Sequence, residues 1–294
     1  MPKRTRSKQK RRRAAEAMRS KPGVTRRGLL FGGAAALVSA CTGRSAPVVA
    51  PAPAAPASSP APLKASITIH RRHSAARGRD VDVVLMTPDG VPNAGLPVCV
   101  ALHGRGANAR TFLDLDLPAA LTAAVRSGTP PFAVVAVDGS HYWMPDGDDD
   151  PHRMLTDELP GWLSESGLRP MTGLFGISMG GFGALNLARR RRDVTAVATC
   201  SAALFRTWPD ARSRHVFASE DAWTAAEPLR HLDELQPRDL GVWCGDGDPF
   251  LAANRKLISG AAPAVSRITP GAHTSGYWKG VLPEVMRFLG PRLK

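Results

Sequence analysis

Acidic residues are nearly absent from the first 41 positions of this 294-residue chain. Twelve lysines and arginines stand there against one acid, Glu16, so this segment contributes +11 of the net charge of +14. The rest of the chain is close to neutral and lacks the strong positive charge typical of nucleic-acid-binding domains. We therefore predict no nucleic-acid partner and assign the basic segment to targeting.

The chain also lacks an apolar run at its basic end that is long enough to span a bilayer, which takes ~20 residues. The basic arm leads instead to Arg26 and Arg27 and then to the short run LLFGGAAALVSA, the layout of a twin-arginine signal peptide. The run ends in VSAC, which resembles the lipobox of bacterial lipoproteins and would make Cys41 the lipidated first residue. Ordinary cleavage near Ala40 is the alternative. Both interpretations predict export across the cytoplasmic membrane, and lipidation adds a membrane anchor.

Alanine, proline and serine dominate residues 42–63. Frequent proline removes backbone donors and favours extended, solvated chain, so this stretch is predicted to be a semi-rigid spacer. The sequence thus divides into an export signal at 1–41, a linker at 42–63 and a catalytic domain at 64–294.

Cysteines are few. Apart from Cys41, the chain has Cys99, Cys200 and Cys244, each in an apolar, strand-like run. Three thiols cannot all pair, and cysteines on buried strands are commonly small core residues. We predict free, buried thiols, with a single disulfide as the alternative.

From residue 64 onward, short apolar runs alternate with helical stretches. The runs SITIH and VDVVLMTP suggest an antiparallel pair, and they are followed by LPVCVAL, PFAVVAVD, TGLFGIS, VTAVATCS, LGVWCG and VSRITPG. Because several runs are apolar on both faces, the sequence predicts an α/β fold with a mostly parallel sheet of about eight strands and helices on both faces. Helices are predicted over 109–127, 152–166, 179–192, 250–260 and 278–290. The long link 202–239 is a candidate lid or substrate wall.

The segment FGISMGGFGALNLA carries the strongest chemical signal. Gly176, Ser178 and Gly180 fit the GxSxG pattern between an apolar strand and a helix. A nucleophilic serine there occupies a sharp turn in which only very small side chains two residues away avoid a clash. A phosphate-binding loop is excluded, because it requires a lysine that does not follow here. A glycine-rich structural turn is the alternative.

A serine nucleophile needs a base and an acid that orients the base. His273 follows the last predicted strand and precedes the closing helix, where the base is expected. The acid belongs in the turn CGDGDPF, and the GxxD spacing from Gly245 favours Asp248 over Asp246, which is then a turn residue. Asp248 before Pro249 also looks like a helix N-cap. The two roles are compatible, since one carboxylate oxygen can accept an amide while the other faces His273.

An oxyanion hole needs N–H donors aimed at the acyl oxygen. The amide of Met179, directly after the nucleophile, is one predicted donor. The loop LHGRGAN supplies the other, with Arg105 best placed because neighbouring glycines permit close backbone approach. His103 and Gly104 of this loop, and Trp278 after the base, are predicted to border the substrate. A plain strand-to-helix turn is the alternative for the loop.

Tyr142 and Trp143 follow another strand end, and they either form a substrate-facing wall or pack the loop. The acidic run after them resembles part of a calcium loop but lacks the closing glutamate of an EF-hand; its members are Asp146, Asp148, Asp149 and Asp150. A solvated acidic loop is favoured over a cation site. We predict no metal and no cofactor.

Four segments together resemble the esterase D and mycolyltransferase group of α/β-hydrolases: GISMGGFGAL, LHGRGAN, CGDGDPF and GAHTSGYW. The resemblance covers about residues 64–290 and implies an α/β-hydrolase fold. It also implies a catalytic triad and two oxyanion amides, at Ser178, Asp248, His273, Arg105 and Met179. Mycolyltransferases use glutamate as the acid, whereas the aspartate here matches the esterase D branch.

These features predict an exported serine esterase that cleaves carboxylic esters through an acyl-enzyme and is tethered to the membrane through Cys41. An acyltransferase, in which a sugar or lipid hydroxyl replaces water, is the alternative with the same chemistry. A non-catalytic cell-envelope binding protein on a hydrolase fold is the alternative of another class. The predicted partner is an ester substrate, and no feature of the sequence indicates the oligomeric state.

Overall fold

A central sheet of eight strands organises the residues that the computed structural model describes, 66–235 and 239–294. The strands are β1 (Ser66–Ser74), β2 (Arg79–Thr87), β3 (Val98–Leu102), β4 (Ala133–Val137), β5 (Met171–Ile177), β6 (Ala196–Cys200), β7 (Asp239–Gly245) and β8 (Val265–Thr269). The α-helices are α1 (Thr111–Asp114), α2 (Leu117–Arg126), α3 (Pro151–Arg153), α4 (Leu159–Glu165), α5 (Met179–Arg190), α6 (Trp208–Arg212), α7 (Glu220–Ala226), α8 (Leu251–Ala261) and α9 (Ser275–Leu289). The predicted export signal with Cys41 and the predicted linker lie outside the described residues.

The strand order across the sheet is β1-β2-β4-β3-β5-β6-β7-β8. β1 pairs antiparallel with β2, from Ser66 opposite Thr87 to Ser74 opposite Arg79, and β2 pairs antiparallel with β4. The other neighbouring strands are parallel. The predicted antiparallel pair and the mostly parallel sheet are confirmed. Because parallel strands end at the same edge, the loops after β3, β5, β7 and β8 meet there.

Helices cover both faces of the sheet, as predicted. Along β3, Val98, Val100 and Leu102 join one apolar core, whereas Cys99 and Ala101 join the other. Helix α5 packs into the first core, and α2 and α9 pack into the second. Burial of one valine or leucine side chain contributes about 1.5–3 kcal/mol, so strands that are apolar on both faces favour this layered arrangement.

One predicted helix is wrong in its extent. The segment 109–127 forms two helices, because Asp116 between α1 and α2 takes a left-handed backbone conformation with φ of 57°. Pro118 has no amide N–H, so it fits the first turn of a new helix better than the interior of a continuous one. The segment 152–166 is helical but is interrupted by a π-helical turn at Met154–Glu158. Within the described ranges, no helix is long and apolar enough to cross a membrane.

Cys99, Cys200 and Cys244 are buried in strands and free, in agreement with the prediction of core thiols. Burial raises the pKa of Cys244 to about 12, so this thiol stays protonated at neutral pH. The predicted alternative of one disulfide is not observed among the described residues.

The link between β6 and β7 carries structure of its own, and a buried carboxylate holds it together. Glu227, which is fully buried, accepts hydrogen bonds from the Phe205 amide at 3.0 Å and the Leu229 amide at 3.2 Å. It also accepts from the indole of the buried Trp223 at 3.2 Å. Glu227 therefore ties the start of the link to the segment that includes α7.

We predict that ionisation of Glu227 destabilises the fold as pH rises. Burial raises the pKa of Glu227 to about 7, against the opposing effect of its N–H donors. Between the ordinary pKa of 4.5 and about 7, the folded chain binds more protons than the unfolded chain, so the free energy of unfolding falls across that window. Chemical denaturation should show that Glu227 lowers the free energy of unfolding by on the order of 1–3 kcal/mol between about pH 5 and about pH 8.

Glu227→Gln cannot ionise, so it should lose less stability than wild type over this pH range. The new side-chain amide faces N–H donors, so the free energy of unfolding of this variant is lower than that of wild type at pH 5. Glu220→Gln, an exposed change in the same link, should follow the wild-type pH dependence. Identical pH dependence in wild type and Glu227→Gln would contradict the prediction.

Candidate active site

Ser178 lies in a strained turn between β5 and α5. Its backbone has φ of 55° and ψ of −116°, a region that L residues rarely adopt. The Ser178 amide donates to the Cys200 carbonyl at 2.9 Å, which holds the turn against β6. Both predicted glycines are required by close contacts: a Cβ on Gly176 would overlap the Gly180 carbonyl, and a Cβ on Gly180 would overlap the Leu102 carbonyl.

The structure brings Ser178, His273 and Asp248 together from the ends of three strands. His273 Nε2 lies 2.9 Å from Ser178 Oγ, and His273 Nδ1 lies 2.9 Å from Asp248 Oδ2. When Nδ1 donates to the carboxylate, Nε2 presents its lone pair to the serine hydroxyl. The Asp248 side chain is fully buried and that of His273 is 23% exposed. The ring can therefore accept the Ser178 proton beside a solvent-reachable cavity.

Asp248 uses both carboxylate oxygens. Oδ1 accepts from the Phe250 amide at 2.8 Å, while Oδ2 faces His273. Burial raises the pKa of Asp248, but hydrogen bonds from His273, Ser201 and the Phe250 amide outweigh it, so the pKa lies below its usual value. The predicted helix N-cap role is wrong, because α8 begins only at Leu251 and Asp248 closes a local turn instead.

Asp246, the alternative candidate for the acid beside His273, bonds to backbone instead of to the imidazole. Its Oδ1 accepts from the Gly271 amide at 3.0 Å, and the Gly247 amide donates to the Gly271 carbonyl at 2.8 Å. These bonds join the loop after β7 to the loop that carries His273. Asp246 is therefore placed as a turn residue that supports this loop.

Sequence reasoning missed two neighbours of the base, Ser201 and Phe250. Ser201 is fully buried with φ of 53°, and it accepts from the Trp278 indole at 3.1 Å. The rings of Trp278 and Phe250 lie 5.1 and 5.3 Å from the His273 ring. Together these residues fix the orientation of the imidazole. Only the position of Ser201 directly after β6 could have indicated its role, since serine is common in loops.

His103 orients the predicted oxyanion loop. Its Nε2 accepts from the Gly139 amide at 2.9 Å, so Nδ1 carries the proton and donates to the Gly104 carbonyl at 2.8 Å. Burial lowers the pKa of His103, which keeps the ring neutral. In a trans peptide, the Gly104 carbonyl and the Arg105 amide point in opposite directions, so this bond turns the Arg105 amide away from His103. His103 was predicted to border the substrate; it lines the cavity over Ser178, and both its ring nitrogens are bonded to backbone.

The two predicted oxyanion donors flank Ser178. A Cβ on Gly104 would lie 3.4 Å from Ser178 Cβ, so the loop passes directly beside the serine. Arg105 follows and borders the same cavity as Ser178. As the first residue of α5, Met179 has no intrahelical acceptor for its amide.

A cavity of about 320 Å³ opens over Ser178 and His273. The predicted residues that line it are His103, Gly104, Arg105, Tyr142 and Trp278. Arg214 and Phe250 also line it and were not predicted. Arg214 belongs to the long link between β6 and β7, so this link forms a wall of the cavity, one of its two predicted roles.

Tyr142 and Trp143 have different positions. Tyr142 lines the cavity and packs edge-on against Phe182. Trp143 is 1% exposed and does not line it; its indole donates to the His103 carbonyl at 3.3 Å and lies where a Cβ on Gly183 would overlap it. Of the two predicted roles, Tyr142 therefore has that of a cavity wall residue, and Trp143 has that of a residue that packs the loop.

Arg77 holds the acidic run. This residue is 4% exposed, and its guanidinium donates to the two Asp149 oxygens at 2.7 and 2.8 Å and to the Asp138 carbonyl at 2.9 Å. Asp150 caps α3 by accepting from the Arg153 amide at 2.8 Å. Among the residues that the structure describes, no cluster of His, Cys, Asp and Glu could hold a metal ion.

The parallel sheet, the strained serine turn and the aligned Ser178, His273 and Asp248 define the class of this protein as an α/β-hydrolase. Residues 74–287 match the model of the Esterase family, described as "Putative esterase". The chain belongs to this family and is a carboxylic ester hydrolase.

Solved structures of esterases and related hydrolases share the fold. A ferulic acid esterase aligns with a TM-score of 0.67 at 18% identity, over 79% of this chain and 100% of that one. An S-formylglutathione hydrolase from Agrobacterium tumefaciens aligns with a TM-score of 0.66 at 14% identity, over 79% and 97% of the chains. FphF, a fluorophosphonate-binding serine hydrolase from Staphylococcus aureus, aligns at 0.61 and 16% identity, over 76% and 98%. The search of curated proteins found no match. The α/β-hydrolase fold is thereby confirmed.

We predict that the two aspartates after β7 differ sharply in their effect on catalysis. Asp248→Ala removes the partner of His273 Nδ1 and should lower kcat about 10⁴-fold. Asp246→Ala, the matched control in the same turn, should lower kcat by less than about 10-fold, because Asp246 supports the loop only through one backbone amide. Steady-state kinetics on a short-chain ester measures both effects. Equal losses in the two variants would contradict the assignment.

Proposed function

We propose that the chain hydrolyses carboxylic esters through a Ser178, His273 and Asp248 triad and an acyl-enzyme. The observation that supports this proposal is the pair of 2.9 Å contacts that link the hydroxyl, the imidazole and the carboxylate in that order. Ser178 Oγ attacks the acyl carbon while His273 Nε2 accepts the hydroxyl proton. Asp248 stabilises the imidazolium that forms, since its lowered pKa keeps the carboxylate charged.

The amides of Arg105 and Met179 stabilise the negative charge that develops on the acyl oxygen. In comparable sites, loss of one such donor lowers kcat about 10²–10³-fold. Collapse of the tetrahedral intermediate expels the alcohol, which receives the proton from His273 Nε2, and leaves the acyl group on Ser178 Oγ. Water then attacks the acyl carbon while His273 Nε2 accepts a proton from it. The bond from the acyl carbon to Ser178 Oγ breaks, His273 Nε2 returns the proton to Oγ, and the free acid leaves.

The cavity volume supports a compact ester as substrate. A volume of about 320 Å³ lies near the lower end of the range found for small-molecule pockets, roughly 300–1,000 Å³. We propose that water rather than a sugar or lipid hydroxyl receives the acyl group.

We predict that a fluorophosphonate probe labels wild type and not Ser178→Ala. Such probes phosphonylate an activated serine, so labelling measures the chemistry that the triad provides. Ser201→Ala is the control, because this buried serine borders the triad without contacting the cavity; it should still be labelled, at a lower rate. Equal labelling of wild type and Ser178→Ala, or no labelling of either, would contradict the proposed nucleophile.

Product analysis on the same preparations tests the acceptor. Hydrolysis of a short-chain ester in the presence of trehalose should release free acid alone. Formation of an acyl-trehalose would support the acyltransferase alternative instead.

We also propose that residues 1–41 export the chain and that Cys41 anchors it. The supporting features are the arginine pair, the short apolar run and the terminal VSAC. We predict that replacing Arg26 and Arg27 by lysine retains the chain in the cytoplasm, whereas replacing Arg12 and Arg13 by lysine does not. Cell fractionation measures both.

Cys41→Ala should release the exported chain from the membrane fraction. Export that continues without the Arg26 and Arg27 pair would contradict the twin-arginine interpretation. Membrane association that persists in Cys41→Ala would contradict lipidation at this residue.

A further inference from the structure

Positive charge lines the cavity over Ser178. Arg105 and Arg214 both line it, and no aspartate or glutamate is among the described residues of its wall. Much of the remaining wall is apolar or aromatic, with Phe112 and Phe250 as examples. Arg105 is exposed and Arg214 is half-buried, so Arg214 is the less solvated of the two cations and interacts more strongly with a bound anion.

Aromatic rings, rather than a carboxylate, hold Arg214 in place. Its guanidinium carbon lies 5.3 Å from the centroid of Phe250 and 5.9 Å from that of Phe205. In the described parts of the chain Arg214 forms no salt bridge, and Asp210 in the same link accepts from the Thr207 hydroxyl instead. Phe250 also contacts the His273 ring, so a single ring separates this cation from the proposed base.

Arg214 differs in this respect from other enclosed arginines. Arg77 pairs with Asp149 and Arg189 pairs with Glu234, which neutralises both. The Nε of Arg214 is buried and has no hydrogen-bond acceptor in the described structure. A buried donor without an acceptor costs stability, and a carboxylate on a ligand would recover that cost.

Tyr142 adds a hydroxyl to the wall of the same cavity. Burial and the charge of the buried Glu227 raise the pKa of Tyr142, and the positive charges of Arg214 and Arg105 oppose that rise. Both guanidinium groups are therefore within electrostatic reach of the hydroxyl. A phenol O–H and guanidinium N–H groups are donors that suit the two oxygens of a carboxylate.

We propose that Arg214, together with Arg105 and Tyr142, binds a carboxylate carried by the ester substrate. The enzyme then prefers esters with a negative charge near the scissile bond over neutral esters of the same size. This inference rests on the proposed function, since the same cavity must hold the reacting ester. Arg214 determines specificity and does not take part in bond making or breaking.

The test compares matched ester pairs. On the acyl side, the pair is para-nitrophenyl hexanoate and the para-nitrophenyl half-ester of adipic acid, which ends in a carboxylate. On the alcohol side, the pair is phenyl butyrate and para-carboxyphenyl butyrate. The readout is the ratio of kcat/KM for the charged ester to that for the neutral one. In wild type, this ratio should exceed one for at least one pair and fall as salt screens the charges.

Arg214→Gln should lower the ratio about 10- to 100-fold, the loss expected for one charge-assisted hydrogen bond. Arg214→Lys keeps the charge and should retain part of the preference. Arg212→Gln is the control: it makes the same charge change two residues away, on an exposed side chain that does not line the cavity, and should leave the ratio unchanged. Because each ratio is taken within one variant, partial loss of folded enzyme does not alter it.

A wild-type ratio at or below one for both pairs would overturn the proposed substrate class. The same ratio in Arg214→Gln and Arg212→Gln would overturn the role of Arg214. In both cases the neutral ester is still hydrolysed, so the proposed function stands. Failure of wild type to hydrolyse any of the four esters would instead overturn the proposed function, and the substrate class with it.

Discussion

The geometry of the site depends on one strained backbone conformation, the left-handed φ of Ser178 between β5 and α5. The fold accommodates this turn only because Gly176 and Gly180 let the start of α5 lie against the end of β3. A Cβ at either position would overlap a backbone carbonyl. Close approach of α5 to β3 in turn brings the Gly104 loop beside the serine. Ser178 as the proposed nucleophile, the Met179 amide and the loop with Arg105 are therefore positioned by a single tight contact between a strand and a helix.

The second half of the site is held by hydrogen bonds between loops. Asp248 receives an amide bond from Phe250 and faces His273, while Asp246 binds the backbone ahead of His273. These contacts make the loops after β7 and β8 one unit, and Trp278 with Ser201 connects that unit to the end of β6. His273, the proposed base, is thus oriented by groups from three strand ends, and its position does not depend on one bond alone.

Arginines at the cavity differ from other arginines of the folded domain in whether they are paired with acids. Outside the basic first 41 residues the chain is nearly neutral, and many arginines pair with acids, as Arg77 does with Asp149. Arg214 and Arg105 face the cavity without such partners among the described residues. The proposed selection of substrates by charge therefore rests on the placement of Arg214 by the link between β6 and β7, and the net charge of the chain gives no indication of it.

The sequence by itself determined the layered α/β fold, because runs that are apolar on both faces can be buried only in a covered parallel sheet. It also indicated that Ser178, His273 and Asp248 would meet, because the GxSxG turn and the strand ends restrict where such residues can lie. The orientation of the Gly104 loop by His103 and the roles of Ser201 and Arg214 were decided only by tertiary structure. Each depends on a contact between residues far apart in the chain, such as His103 with Gly139 or Ser201 with Trp278, and no local pattern encodes those distances. Tyr142 and Trp143 are neighbours with the same sequence context, so the sequence could not distinguish them. Packing in the folded chain makes Tyr142 a wall residue of the cavity and Trp143 a core residue.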